Sequence, residues 1–423
     1  VRLDELTGRR VVLLGLGADV LAAVPAIRAA EPAALAVVDD GPAALATDLP
    51  VLTLEDAAAW AEVFVRSPGF PRYREPLVAA RAAGARMTTP VDLWLGTHGP
   101  NRTVVAITGT KGKSTVTSLL GTIAERGRID AGVAGNLGTP VFSDDWNHDA
   151  AVVILEISSY QAADLHHVPD IAILTFLAED HLSWHGGVVS YVADKLRVVA
   201  NEGGTAPSVL VPATGGRAAE ALATIGVTPT VVEAPVGDPT VPVHRVQNAA
   251  LAAAALAELG GPHLIDLEVV ALARHAMPGR LDPCPGPEGL LCVDDALASN
   301  PSATAAALAW LRGLGRRTVV LLGGADRAVD AEPLRAEAAG WPAGLLGAVA
   351  LPDNGVDLAE RSAIEVLAVA GDVAEATHRA VAAAGADGVV LFSPAAPTPA
   401  GVGNWETRSA AFRDALVAAP AGR

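Results

Sequence analysis

Residues 106–120 read AITGTKGKSTVTSLL. An apolar run leads into Gly109-Thr110-Lys111-Gly112-Lys113-Ser114, and a helix-like pattern follows. A strand that turns through glycines into a helix start offers free backbone N–H groups and the positive end of a helix dipole. Both favour phosphate. Lys113 adds a point charge for the β- and γ-phosphates, and Ser114 adds a hydroxyl for magnesium. The common spacing G-x-x-x-x-G-K-[ST] is not kept, because Ile107 stands where its first glycine belongs. Gly109 makes the loop two residues tighter, with a second lysine, Lys111, inside it. A plain glycine turn before a surface helix would leave Gly-Lys-Ser at this junction unexplained.

Around this loop the chain alternates strand and helix patterns, which predicts parallel α/β sheets throughout. Residues 10–17, RVVLLGLG, read as a buried strand running into a glycine turn, and 34–40, ALAVVDD, as a second strand. The dinucleotide fingerprint G-x-G-x-x-G is broken at Val20, so the pattern is weak support for NAD. A new unit begins near residue 94, with strands at 103–107, 151–157 and 170–176. Gly260-Gly261-Pro262 closes the helix that starts near Arg245. A third unit begins near Pro278, with strands at 290–295, 318–324, 347–352 and 388–394. The Pro-rich stretch 278–289 reads as a linker.

The chain has 423 residues, room for two to four domains at roughly 100–200 residues each. Its net charge is −17, and no basic stripe of the kind nucleic-acid binders show is present. No nucleic-acid partner is expected. The longest charge-free stretch, 388–405, carries three prolines, so no membrane helix is expected. Cys284 and Cys292 are too few for a disulfide framework and read as buried or idle thiols in a reducing compartment. His181 and His185 have i,i+4 spacing, but Leu182 stands where the zincin pattern needs glutamate. His166 and His167 read as surface. Lys195 taken alone reads as a solvated helix lysine. Glu156 closes a buried apolar strand, at the end where α/β sites form.

TGTKGKST, residues 108–115, resembles the ATP loop of the Mur ligases, where the shorter glycine spacing is normal. Further motifs follow in that family's order. GNLG (135–138), LEISSYQ (155–161), EDHLSWHG (179–186) and YVADKLRV (191–198) are similar to its central motifs. HRVQNAALAAAALAELG (244–260), PGR (278–280), VDDALASNPSAT (293–304), GGADR (323–327), SPAAPT (393–398) and NWETRSAAF (404–412) are similar to later ones, with substitutions.

The resemblance implies a three-domain α/β fold. Residues 1–93 would form a Rossmann-like domain for a UDP-sugar, 94–277 a central P-loop-type ATPase, and 278–423 a Rossmann-like domain for an amino acid. It implies ATP at Gly109, Thr110, Lys111, Gly112, Lys113, Ser114, Thr115, Asn248, Arg280 and Asp295. Magnesium would occupy two sites, among Ser114, Glu156, His181 and a carbamylated Lys195. Asn136, Ser158, Ser159 and Gln161 would lie near the sugar nucleotide, and Arg327, Ser393 and Thr398 near the amino acid. Lys113, His181 and Lys195 are the implied catalytic residues. Carbamylation needs a neutral amine, so the site must lower the pKa of Lys195 from its ordinary value near 10.4.

SPGF (67–70) is similar to a motif of the glutamate-adding branch, which takes UDP-N-acetylmuramoyl-L-alanine. Departures gather at the amino-acid motifs: Leu297, Ser299, Arg327 and Thr398. Together with Lys111 they resemble a divergent branch that adds L-glutamate instead of D-glutamate. A cytoplasmic monomer is expected.

Overall fold

The computed structural model describes residues 1–41, 47–200, 207–213, 217–236, 241–274, 278–326 and 330–418. It divides into two compact units, one of Val1–Gly237 with Val243–Ala273, the other of Asp238–Pro242 with Arg274–Arg423. Among the described residues there are three sheets, two in the first unit and one in the second.

The first sheet runs β2 (Ala34–Val38), β1 (Arg10–Leu14), β3 (Val63–Arg66), β4 (Arg86–Thr88), all parallel. Its strands read as unbroken apolar runs because both faces are covered. Val11, Leu13, Val37, Val63 and Val65 pack on one side, and Val12, Leu14, Val38 and Phe64 on the other. The glycine turn after β1 is closed by Asp39, whose carboxylate accepts the Leu16 N–H.

The second sheet has the order β10 (Thr230–Val232), β9 (Ser208–Pro212), β8 (Ile171–Leu174), β5 (Thr103–Thr108), β7 (Val152–Glu156), β6 (Ala131–Gly135). The chain fills β5, β6 and β7 on one side and then crosses β5 to lay down β8, β9 and β10. A crevice forms where strand order reverses in this way, at the carboxyl ends of the strands. The ends of β5, β7 and β8 are Thr108, Glu156 and Leu174.

In the second unit the order is β11 (Asp282–Cys284), β12 (Leu291–Asp294), β16 (Val389–Phe392), β13 (Thr318–Leu322), β14 (Leu346–Ala350), β15 (Val366–Val369). Two sequence expectations fail here. The stretch read as a linker contains β11, and β11 pairs antiparallel with β12, matching Pro283 to Val293. Proline has no N–H to give to a ladder and is confined to sheet edges, which is where β11 lies. The two cysteines face each other in this pair as free thiols, and burial pushes Cys292 up to about 11. No helix of the described residues is long and apolar enough to cross a membrane.

Candidate nucleotide site

The loop after β5 turns through Gly109 (φ 145°) and Gly112 (φ 92°) into the helix Lys113–Arg126. These glycines are needed for space as well as for backbone angle. A Cβ on Gly109 would come 2.0 Å from Thr175 Oγ1, and one on Gly112 would come 2.8 Å from Asn248 Oδ1. Asn248 lies on the helix Val243–Glu258, so that helix packs directly against the loop.

Residues after β8 fasten the loop from its other side. Thr110 N–H donates to Phe176 O at 2.7 Å, and Thr175 Oγ1 donates to Lys111 O at the same distance. Thr110 Oγ1 lies 2.7 Å from Tyr191 Oη and donates to Ala178 O. Two lysines reach one loop carbonyl: Lys113 Nζ donates to Gly109 O at 3.0 Å and Lys195 Nζ at 2.7 Å. Lys111 is half exposed and reaches Asp180 at 3.9 Å. Ser114 and Thr115, in the first helical turn, are partly exposed, and their hydroxyls have no hydrogen-bond partner among the described residues.

Lys195 overturns its reading as a solvated residue. It sits on the helix Val188–Leu196, is 2% exposed, and has its ammonium 5.0 Å from the Tyr191 ring centroid. Burial lowers its pKa well below the ordinary lysine value, and the neighbouring Lys113 charge pushes it the same way. A sequence alone does not show this, because the partners lie 82 and 86 positions away.

Glu156 closes β7 at 1% exposure. Its Oε1 accepts from Asn136 Nδ2 at 2.8 Å, while Oε2 is buried without a hydrogen-bond partner. A buried carboxylate oxygen without a hydrogen bond leaves a lone pair open to a cation. Glu156 and the Ser114 hydroxyl are hard oxygen donors of the kind magnesium takes. Among the described residues no three His, Cys, Asp or Glu side chains converge as a metal cage.

His181 begins the short helix Leu182–His185 in a left-handed conformation (φ 51°) and is about half exposed. Its ring lies 5.0 Å from that of Tyr160. Burial lowers its pKa, and Lys195 and Lys113 act in the same direction.

His185 is not its zinc partner. It is 1% exposed, with Nδ1 at 2.7 Å from Asp194 Oδ2 and Nε2 at 3.0 Å from Ser159 Oγ. The predicted substrate residues Ser158 and Gln161 cap a helix start through a reciprocal pair of bonds, and Gln161 Nε2 also reaches Asp19 Oδ2 at 2.9 Å. His166 is exposed and His167 partly so, in keeping with the surface reading. Both rings approach Asp92, a fully buried carboxylate, at 3.1 and 2.9 Å.

Sequence reasoning missed a buried charge network between the region of the first sheet and that of the second. Arg66 and Arg72 both pair with Asp164, at 2.7 and 2.8 Å, and Arg72 and Tyr73 both reach Asp194. Arg66 also donates to the carbonyls of Ser67, Pro68 and Phe70, which fixes the SPGF loop. The only signal in the sequence was an arginine at the end of an apolar strand.

The second unit has its own polar cluster. Asp295 accepts from Leu281 N–H and from Ser393 Oγ at 2.8 Å, and Ser393 Oγ lies 2.8 Å from Thr304 Oγ1. Burial pushes the Asp295 carboxyl up to about 7. Arg280 is exposed, and its charge acts on Asp295. Gly323 and Ala325 donate to the carbonyls of Pro394 and Pro397, joining the GGAD and SPAAPT loops, and Thr398 is partly exposed beside them. Arg327 lies outside the described residues.

The family profile for the Mur ligase middle domain matches residues 107–215, and that for the Mur ligase glutamate ligase domain matches residues 279–396. A UDP-N-acetylmuramoyl-L-alanine–L-glutamate ligase of Micromonospora sp. is 37% identical, over 98% of this chain and 98% of its own length. A UDP-N-acetylmuramoylalanine–D-glutamate ligase of Rubrobacter xylanophilus is 32% identical, over 96% of this chain and 97% of its own. The solved structure of a UDP-N-acetylmuramate–alanine ligase from Thermotoga maritima superposes with a TM-score of 0.58 at 15% identity. It covers 97% of this chain and 99% of its own, a likeness of fold.

Proposed function

The chain belongs to the Mur ligase family, and from that premise we propose that it is an ATP-dependent ligase joining L-glutamate to UDP-N-acetylmuramoyl-L-alanine. This is one step in making a peptidoglycan precursor. A carboxylate does not react with an amine at neutral pH. Transfer of the γ-phosphoryl group to the carboxylate gives an acyl phosphate. The amine of glutamate then attacks its carbonyl carbon, and phosphate leaves with the former carboxylate oxygen. Positioning and charge neutralisation supply most of the catalysis of such transfers.

The observation that carries this reading is the meeting of Lys113 and Lys195 on the carbonyl of Gly109 in a sheet whose neighbouring strand ends in Glu156. In this reading Lys113 offsets charge on the transferring phosphoryl group. The N–H groups at the start of the helix Lys113–Arg126 hold the phosphates. Ser114 and Glu156 would hold one magnesium ion, and His181 with a carbamate on Lys195 a second; bound there, magnesium would neutralise oxygens of the phosphate and of the substrate carboxylate. The burial of Lys195 supports the carbamate, since it raises the fraction of neutral amine that can take up carbon dioxide.

Asn248, Arg280 and Asp295 are assigned to the rest of ATP. Asn136, Ser158, Ser159 and Gln161 are assigned to the sugar nucleotide, and Arg327, Ser393 and Thr398 to glutamate. The L-enantiomer is favoured by the name of the 37% identical relative and by Lys111, Leu297, Ser299, Arg327 and Thr398. The second reading, D-glutamate, is the activity named for the 32% identical relative. The protein is read as a cytoplasmic monomer that engages neither nucleic acid nor membrane.

Purified protein incubated with ATP, magnesium, UDP-N-acetylmuramoyl-L-alanine and each glutamate enantiomer is expected to give the ligated product with L-glutamate, read by mass. Preference for D-glutamate removes the stereochemical assignment. Failure with both, in a folded protein, removes the substrate assignment.

A further inference from the structure

The first unit holds a second concavity, of about 710 Å³, that shares no residue with the glycine loop. Its lining includes parts of the helix Glu75–Ala82 and of β4, with Asp164, His166, His167 and Arg197. Four arginines line it, Arg72, Arg81, Arg86 and Arg197, against two carboxylates, Glu5 and Asp164. That is a formal excess of two positive charges in a chain whose net charge is −17.

Both carboxylates are already engaged. Glu5 accepts from Arg86 at 2.9 Å, and Asp164 pairs with Arg66 at 2.7 Å and Arg72 at 2.8 Å. The donors that remain have little to bond. The Arg81 side chain makes no hydrogen bond or ion pair among the described residues. Among the described residues the Arg197 side chain reaches only Asp194, at 3.9 Å. Arg72, 4% exposed, leaves its buried Nε without an acceptor. The three guanidinium groups are close enough that Arg72 and Arg197 both disfavour the charged form of Arg81, after burial itself. Planar guanidinium forks that repel one another and keep unused donors match an anion with several oxygens.

We infer that this cavity binds a small multivalent anion, a polyphosphate or a polycarboxylate, through Arg81, Arg197 and Arg72. Arg72 also holds Asp194, the residue before Lys195, at 3.3 Å. An anion in the cavity therefore competes with Asp194 and Asp164 for one guanidinium. That link to turnover rests on the ligase reading, whereas binding itself does not.

The test uses the full chain carrying Lys113→Ala, which weakens phosphate binding at the glycine loop. Calorimetric titration is run without magnesium, with inorganic pyrophosphate in one arm and citrate in the other. One-site saturable binding is expected in at least one arm, and the arm that responds names the anion. Arg81→Gln is expected to weaken it about tenfold or more, the size of one lost charge-assisted bond. Arg197→Gln is the second probe should Arg81→Gln fail to fold. Since the Arg81 side chain makes no hydrogen bond or ion pair among the described residues, Arg81→Gln is expected to melt with its parent and, with Lys113 restored, to turn over normally in the absence of added anion. Absence of saturable binding in both arms overturns the inference. So does binding that neither arginine substitution changes.

Discussion

Asp295→Asn keeps the shape of a buried side chain and removes its ionisation. In the native protein burial holds the Asp295 carboxyl at about 7, against 3.8 for the free group. Between those values the folded state binds a proton that the unfolded state has released. Stability from this group is therefore fully present below pH 3.8 and is lost as pH rises through 7. From pH 4.5 to 7.5 the loss is about 3 kcal/mol, at roughly 1.4 kcal/mol per pKa unit. The asparagine does not titrate. Its Oδ1 can still accept from Leu281 N–H, and its amide can donate to Ser393 Oγ, whose hydroxyl then turns to Thr304 Oγ1, 2.8 Å away. The variant is thus expected to gain about 3 kcal/mol on the native protein across that pH range. Urea-dependent hydrogen exchange of peptides spanning Thr318–Leu322 and Val389–Phe392 reads the second unit by itself. A native-minus-variant difference that stays flat from pH 4.5 to 7.5 would refute the reasoning.

Gly112→Ala forces a Cβ to 2.8 Å from Asn248 Oδ1 at φ 92°. The strain, on the order of 1–2 kcal/mol, should weaken ATP about tenfold in a nucleotide titration; unchanged affinity would mean the loop does not need this turn. Glu156→Gln removes a charge whose Oε2 is buried and unanswered. It is expected to abolish the gain in nucleotide affinity that magnesium gives, so a gain that survives contradicts the ligand role. Lys195→Met replaces a buried ammonium with an apolar chain of similar length. The variant should stay folded, lose about two orders of magnitude or more in turnover, and remove a bicarbonate dependence that the native enzyme shows in degassed buffer. Intact turnover in Lys195→Met would end the carbamate role.

The glycine loop was legible because its meaning is local: glycine angles, a lysine and a hydroxyl within six residues at a strand–helix junction. Glu156 was legible for a related reason, since an acid closing an apolar run marks a strand end. The environment of Lys195 was not. Its burial comes from Gly109, 86 positions earlier, and from the ring of Tyr191. His185 looked like half of a metal pair, yet folding turns it to Asp194 and Ser159. The ion pairs of Arg66 and Arg72 could not be read, because their carboxylates belong to a different sheet region and pairing across such distances leaves no spacing pattern. The stretch called a linker was misread by its prolines, which an edge strand tolerates at Pro283.

The central claim is that ATP activates the substrate carboxylate before glutamate attacks. UDP-N-acetylmuramoyl-L-alanine labelled with oxygen-18 in both carboxylate oxygens tests it directly. If an acyl phosphate forms, each turnover moves one labelled oxygen into inorganic phosphate and leaves one in the new amide. Unlabelled phosphate released alongside ligated product would contradict the account.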